Sequence, residues 1–276
     1  MKYLNVGCGN CFIQGEDWLN LDANPVNEYV QNRCLDDLAQ NGLTNSFDCI
    51  YASHLIEHLS HGEAVEFLSL ACSLLRVGGT LRLVTPDFDS IIEAYLSAVN
   101  RSQFGKAKFE KVLLLEQCVR TVASGTYRMD VRQLLEEDPA MANYIDLRTG
   151  EHPLLGKADG AISGSKSHDL SAVTKRAAIR FKKRFRRFIL TALKLALPSS
   201  IASNILSTDF GERHLWVYSF FELQSLGLDM GFVDAHKVES SQSRVLDSDA
   251  LERLDGGYHG STRKGTHSMF IEMRKA

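Results

Sequence analysis

The sequence predicts a doubly wound α/β fold carrying a helical insertion, and three observations support that class. Short apolar runs alternate with helix-period segments through residues 2–87, the pattern that lays a mostly parallel sheet between two layers of helices. The alternation gives way between residues 89 and 210 to helix-like segments and loops. It then resumes to the last residue, so the chain divides into 1–88, an insertion over 89–210, and 211–276, the outer parts forming one domain.

The elements follow in order. Tyr3–Val6 reads as a buried strand running into a glycine turn, and Trp18–Leu21 as a second strand ended by Asp22. Phe47–Ala52 is a further strand, preceded by turn residues at Asn41-Gly42 and Thr44-Asn45-Ser46. From about Gly62 to Leu75, Ala64, Phe67, Leu68, Ala71, Leu74 and Leu75 recur at helical spacing, so one face of that helix is core. Val77-Gly78-Gly79 is expected to stop the helix, and Thr80–Thr85 to form a strand that leaves at Pro86-Asp87. Near the end of the chain, Ser219 is a suitable N-cap for a helix through Met230, with Phe220, Leu223, Leu226 and Met230 on one side and Gly231 closing it. Phe232–Val238 and Ser268–Arg274 complete the set of strands.

Composition narrows the classes of function. With 276 residues, 44% hydrophobic and 24% charged, the chain can bury a large core unaided by disulfides. A net charge of -3 gives no global attraction to nucleic acid, which is disfavoured as a partner. Six cysteines scattered among apolar residues fit a reducing compartment rather than a disulfide scaffold. Met1–Gly7 is too short and too weakly charged for a signal peptide, and no run reaches the roughly 20 apolar residues of a membrane span, so a cytoplasmic protein is expected.

The first motif is Leu4-Asn5-Val6-Gly7-Cys8-Gly9. Glycines after a strand let the backbone turn sharply and approach a ligand, although such a turn by itself binds nothing in particular. Asp22, at the tip of the next strand, can accept both hydroxyls of a ribose lying across the strand ends. The dinucleotide fingerprint needs a third glycine opening a helix, and here Asn10-Cys11-Phe12-Ile13-Gln14 follows, with Gly15 too late. A nucleoside without a pyrophosphate is therefore favoured.

Three runs, LNVGCGNCFIQGEDWLNLDANP, LDDLAQNGLTNSFDCIYASHLIEHL and LLRVGGTLRLVTPD, together resemble the successive motifs of class I S-adenosylmethionine-dependent methyltransferases, in particular the type 11-like branch associated with surface-polysaccharide biosynthesis. HLWVYSFFELQSLGLDMGF resembles that branch's His-x-Trp-x-Tyr segment, and GTHSMFIEMRK its last strand. The resemblance implies a Rossmann-like sheet with an antiparallel last strand, the insertion covering the pocket, and S-adenosyl-L-methionine as cofactor. It implies that Gly7, Cys8 and Gly9 wrap the methionine part, Asp22 holds the ribose, Ala23 lines the adenine and Asp36 or Asp37 faces its amino group. Ser53 and His54, just past the fourth strand, would border the sulfonium and the acceptor. Where this chain has Asn5 the family more often has an acid, and its helix between the first two strands is longer.

Methyl transfer needs an in-line nucleophile and often a base, and His54 and His214 are the candidate catalytic residues, since imidazole titrates near neutral pH. His54-Leu55-Ile56-Glu57-His58-Leu59-Ser60-His61 contains a His-x3-His pair of the kind that chelates zinc, yet one segment alone does not supply convergent ligands. Cys8-x-x-Cys11 lacks the second cysteine pair that would finish a tetrahedral site. No metal is assigned to either. Residues 174–197 hold nine Lys or Arg and no acid, interleaved with Phe181, Phe185, Phe188, Leu193 and Leu197. That mixture suits a helix lying on an anionic membrane surface, a basic helix packed on the domain, or a patch for an anionic substrate. The expected function is methylation of an oxygen on a sugar, glycolipid or polysaccharide precursor. A methyltransferase for a small soluble metabolite and a non-catalytic cofactor-binding protein share the same first half.

Overall fold

A computed structural model describes residues 1–25, 27–118, 127–153, 214–256 and 262–276. Its centre is a seven-stranded sheet of β1 (Tyr3–Val6), β2 (Trp18–Leu21), β3 (Val30–Gln31), β4 (Phe47–Ser53), β5 (Leu75–Pro86), β6 (Phe232–Val238) and β7 (Ser268–Lys275). The spatial order is β3-β2-β1-β4-β5-β7-β6. Strands β1 to β5 pair in parallel, whereas β7 runs antiparallel to both β5 and β6. The order reverses between β1 and β4, which opens a crevice at their carboxyl ends, where α/β sheets bind ligands.

Among the described residues the α-helices are α1 (Leu35–Gln40), α2 (His61–Leu74), α3 (Phe88–Asn100), α4 (Phe104–Cys118), α5 (Tyr127–Glu137), α6 (Met141–Thr149), α7 (Phe220–Asp229) and α8 (Ser248–Leu254). Side chains alternate across the strands, so the sheet has two apolar faces. Leu4, Ile50, Leu81 and Leu83 pack with Phe67, Leu68 and Leu74 of α2 and Leu223 of α7. Cys49, Tyr51, Val84 and Phe270 face the other way, onto Ala250, Leu251 and Leu254 of α8. Both faces are covered, as a doubly wound sheet requires.

Local signals set the element ends. A capping box starts α2, with the Ser60 N–H donating to Glu63 at 2.8 Å and the Glu63 N–H to Ser60 Oγ at 3.4 Å. Ser219 caps α7 in the same way, and Gly231 follows that helix with φ 92°. One expectation is corrected: Val77-Gly78-Gly79 does not separate helix from strand. Strand β5 already begins at Leu75, and the register against β4 shifts between the Phe47–Leu75 and Cys49–Thr80 pairs. A bulge absorbs the extra residues, and a side chain at Gly79 would put Cβ 2.9 Å from the Arg76 carbonyl and 3.0 Å from that of Phe47.

Buried polar groups tie the two ends of the chain together. Arg82, fully buried in β5, donates to Asp255 at 3.0 Å and Glu272 at 3.0 Å, and Tyr51 Oη donates to the other Asp255 oxygen at 2.5 Å.

Helices α3 to α6 have a small core of their own, in which Ile91, Phe109, Leu113, Leu134, Met141 and Ile145 meet. Arg148 clamps this layer to the sheet: it donates to both Glu110 oxygens at 2.7 and 3.1 Å and to the Thr266 carbonyl at 3.0 Å. The basic run 174–197 and residues 154–171 lie outside the described residues. Among the described residues no helix is long and apolar enough to cross a membrane.

Candidate active site

A cavity of about 760 Å³ opens at the carboxyl ends of β1 and β4. The glycine turn forms one wall. Gly7 and Gly9 take φ of 65° and 53°, left-handed values that cost a residue with a side chain. A Cβ on Gly7 would sit 3.0 Å from Leu55 Cδ1, while nothing lies within 4 Å of one on Gly9. The Cys8 N–H donates to the Leu21 carbonyl at 3.1 Å, fixing the turn to the end of β2.

Asp22 holds the same turn. Its carboxylate accepts from the Gly9 N–H at 2.8 Å and, with the other oxygen, from the Asn24 N–H at 2.7 Å. A carboxylate has about four lone-pair sites, so each oxygen keeps capacity for a further donor. The residues after the turn form no helix before β2, so no helix N-terminus stands where a pyrophosphate would need one.

Two asparagines that the sequence reading did not assign to the site stabilise this loop. Asn5 and Asn20 are paired across β1 and β2 and both are buried. Asn5 Nδ2 donates to the Cys11 carbonyl at 2.9 Å and to Asn20 Oδ1 at 3.3 Å, and Asn20 Nδ2 donates to the Ile13 carbonyl at 2.9 Å. The chain around 11–13 is thereby held without a helix. A polar residue repeated at one register of two buried strands was the available signal.

Of the predicted cofactor residues, Gly7, Cys8, Gly9 and Ser53 line the cavity, and Asp22 touches it through Gly9. Ala23, Asp36 and Asp37 are exposed and do not line it. Asp36 pairs with Gln40 on α1. Asp37 accepts from the Cys34 N–H at 3.2 Å in a capping box, and these Cys34 bonds hold its carboxyl below the usual range.

The opposite wall is built of histidines. His54 follows β4 with φ 50°, an unfavourable conformation for a residue with a side chain. The Val84 carbonyl accepts its N–H at 2.8 Å. Its Nδ1 lies 3.0 Å from Glu57 Oε1, and its Nε2 3.3 Å from Ser268 Oγ. The first contact assigns the proton to Nδ1, since the carboxylate only accepts. Burial, reinforced by the Lys264 charge, holds the His54 pKa below its ordinary value. With the Nδ1 proton facing the carboxylate, Nε2 is the ring nitrogen turned away from Glu57.

Glu57 is fully buried. Burial by itself would raise its pKa, but the charge and hydrogen bond of His54, with His58 and His214, bring it down to about 2. Thr85 Oγ1 also donates to it at 3.3 Å. The Glu57 carbonyl accepts the N–H groups of Leu215 at 2.8 Å and Trp216 at 3.3 Å. Those two bonds bring His214 to the site, and its ring meets that of His58 edge-on at 4.6 Å. Both predicted catalytic histidines thus border one cavity, with Glu57 between them.

Sequence reasoning missed other contributors. Gln117 of α4, Tyr127 of α5 and Thr149 of α6 line the cavity, so the helical layer contributes to its wall. His267 lines it too: its Nδ1 contacts the Arg148 carbonyl at 2.6 Å, and burial together with His54 pushes its pKa down to about 3. Cys8 and Cys11 are free thiols, and Cys11 Sγ donates to the Arg253 carbonyl at 3.3 Å.

No protein-family model and no curated protein matches the chain. Among solved structures it is similar to a SAM-dependent methyltransferase from Archaeoglobus fulgidus, at 12% identity and a TM-score of 0.39, over 99% of this chain and 86% of that one. It is also similar to PKMT2 from Rickettsia typhi in complex with AdoHcy, at 10% identity and a TM-score of 0.38, over 99% of this chain and 48% of that one. A SAM-dependent methyltransferase from Mesorhizobium loti is 19% identical over 34% of this chain and 49% of its own, with a TM-score of 0.23.

Proposed function

We propose that the protein transfers a methyl group from S-adenosyl-L-methionine to an acceptor oxygen, a hydroxyl of a sugar in a polysaccharide or glycolipid precursor. The observation that carries this reading is one cavity with a glycine turn and an acidic strand tip on one side and a basic imidazole on the other. The cofactor's features fit the first side. The left-handed glycines leave room for a ligand against the backbone, Asp22 keeps acceptor capacity for a ribose diol, and the helix that a pyrophosphate would require is missing.

Bound there, S-adenosylmethionine supplies an electrophilic methyl group on a sulfonium. Gly7, Cys8 and Gly9 would hold its methionine part and Asp22 its ribose. The chain's own work is then positioning and proton removal. Ser53 and His54 would border the reacting atoms, and His54 Nε2 would take the acceptor proton while Glu57 keeps the ring oriented through Nδ1. The polar side chains of Gln117, Thr149, Glu151 and Lys264 suit an acceptor rich in hydroxyls. The sugar itself rests on the motif resemblance. On this reading the reaction is cytoplasmic, and the basic run 174–197 serves an anionic membrane surface, an anionic substrate or the domain itself.

The test is transfer of labelled methyl from S-adenosylmethionine into cell-envelope extracts, followed by mass analysis of the labelled product. Label on a sugar oxygen supports the full reading. Label on a small soluble metabolite replaces the acceptor, and binding of S-adenosylhomocysteine without turnover on any extract overturns the enzyme.

A further inference from the structure

We propose that Glu57, His58 and His214 form a binding site for one divalent transition-metal cation in the acceptor wall of the cavity. One donor atom from each of the three lies within 4.8 Å of the others. Two imidazoles and a carboxylate are a donor set that leaves coordination positions open, as in catalytic rather than structural sites. Bonds of about 2.0–2.2 Å put the ligand atoms of a tetrahedral ion roughly 3.4 Å apart, so the set must contract by about 1.4 Å at most, a movement that side-chain rotation supplies.

Two further features support the assignment. Ligating carboxylates are normally held by outer groups, and Glu57 has His54 Nδ1 at 3.0 Å on one oxygen and Thr85 Oγ1 at 3.3 Å on the other. The set is also assembled by backbone, since the Leu215 and Trp216 N–H groups both bond the Glu57 carbonyl and fix where His214 enters. The single segment His54–His61 did not supply convergent ligands by itself. The third donor comes from a residue more than 150 positions away in the sequence. His58 and His214 both line the cavity, so the open positions of the ion face the space an acceptor would fill. An acceptor oxygen bound there would be oriented, and its hydroxyl made more acidic, by the cation. That role, unlike the binding itself, rests on the methyl-transfer reading.

The experiment uses the full chain, stripped with a chelator and dialysed, then titrated with zinc and with manganese chloride by calorimetry, with elemental analysis of the saturated protein. We expect one equivalent of at least one of the two metals, bound at least about tenfold more weakly by His58→Ala and by His214→Ala and unchanged in His61→Ala, whose side chain is exposed on α2. If His214→Ala fails to fold, His58→Gln, at a partly buried residue ending a short 3-10 helix, carries the comparison. No uptake by the wild type, or uptake by both site variants as tight as by the wild type, overturns the site. S-adenosylhomocysteine affinity measured on the same metal-free sample separates the two readings. Cofactor binding without metal uptake sinks the metal site alone, whereas stoichiometric metal without cofactor binding sinks the methyltransferase and leaves the metal site standing.

Discussion

Replacing Asp22 with asparagine tests the cofactor wall most directly. The carboxylate receives the Gly9 N–H at 2.8 Å and the Asn24 N–H at 2.7 Å on separate oxygens. An amide of the same size offers one oxygen and one NH2, so one of those two N–H groups must face a donor, and the charge that would attract a ribose diol is gone. A charge-assisted hydrogen bond contributes about 1.5–3 kcal/mol, and each 1.4 kcal/mol is roughly tenfold, so affinity for S-adenosylhomocysteine should fall about 10- to 150-fold. Isothermal titration calorimetry reads that loss, and circular dichroism checks that β1 and β2 remain folded. Unchanged affinity in a folded Asp22→Asn protein would refute the ribose assignment and leave Asp22 as a brace for the glycine turn alone.

Other perturbations have equally specific outcomes. Arg82→Met strands the buried Asp255 and Glu272 carboxylates, so urea denaturation should show a loss of about 3–5 kcal/mol, and a loss under about 1 kcal/mol would contradict the network. Burial, then the Asp22 charge, pushes the Cys8 thiol up to about 12 from an ordinary 9, so iodoacetamide at pH 8 should label exposed Cys34 and spare Cys8 by peptide mapping. The sign also fixes a stability trend. A thiol with a raised folded pKa contributes fully below pH 9, and that contribution is lost as pH rises toward 12, which alkaline melts of wild type and Cys8→Ala should resolve. If residues 174–197 hold the protein to a membrane, co-sedimentation with anionic liposomes should fall as salt rises, and equal binding to neutral liposomes would count against it.

What the sequence disclosed tracks the range of the interactions involved. The glycine turn, the strands β1, β2 and β6, and the cap of α7 follow from residues close together in the chain, and each lies where its local pattern placed it. The run at Val77-Gly78-Gly79 misled because glycine serves helix ends and strand bulges alike, and only the partner strand decides between them. Arg82 and Glu272 each interrupt an apolar strand, a signal that a buried cation and anion must meet. The pairing itself needed β5 and β7 to be adjacent, a matter of topology.

The same distinction separates the two walls of the cavity. The glycine wall is local, since Asn5, Gly9, Asn20 and Asp22 fall within the first 22 residues and bond one another or the loop between them. The histidine wall is long-range. The backbone bonds of Leu215 and Trp216 bring His214 to Glu57, and His267 is fixed through Arg148, itself held by Glu110 of α4. Motifs therefore read the glycine wall well, apart from Ala23, Asp36 and Asp37, which lie outside the cavity, and the histidine wall poorly. Because residues 214–216 are held through the Glu57 carbonyl and the glycine turn through Asp22 and Leu21, changes at 214–216 should alter what is accepted for transfer while leaving the glycine turn intact.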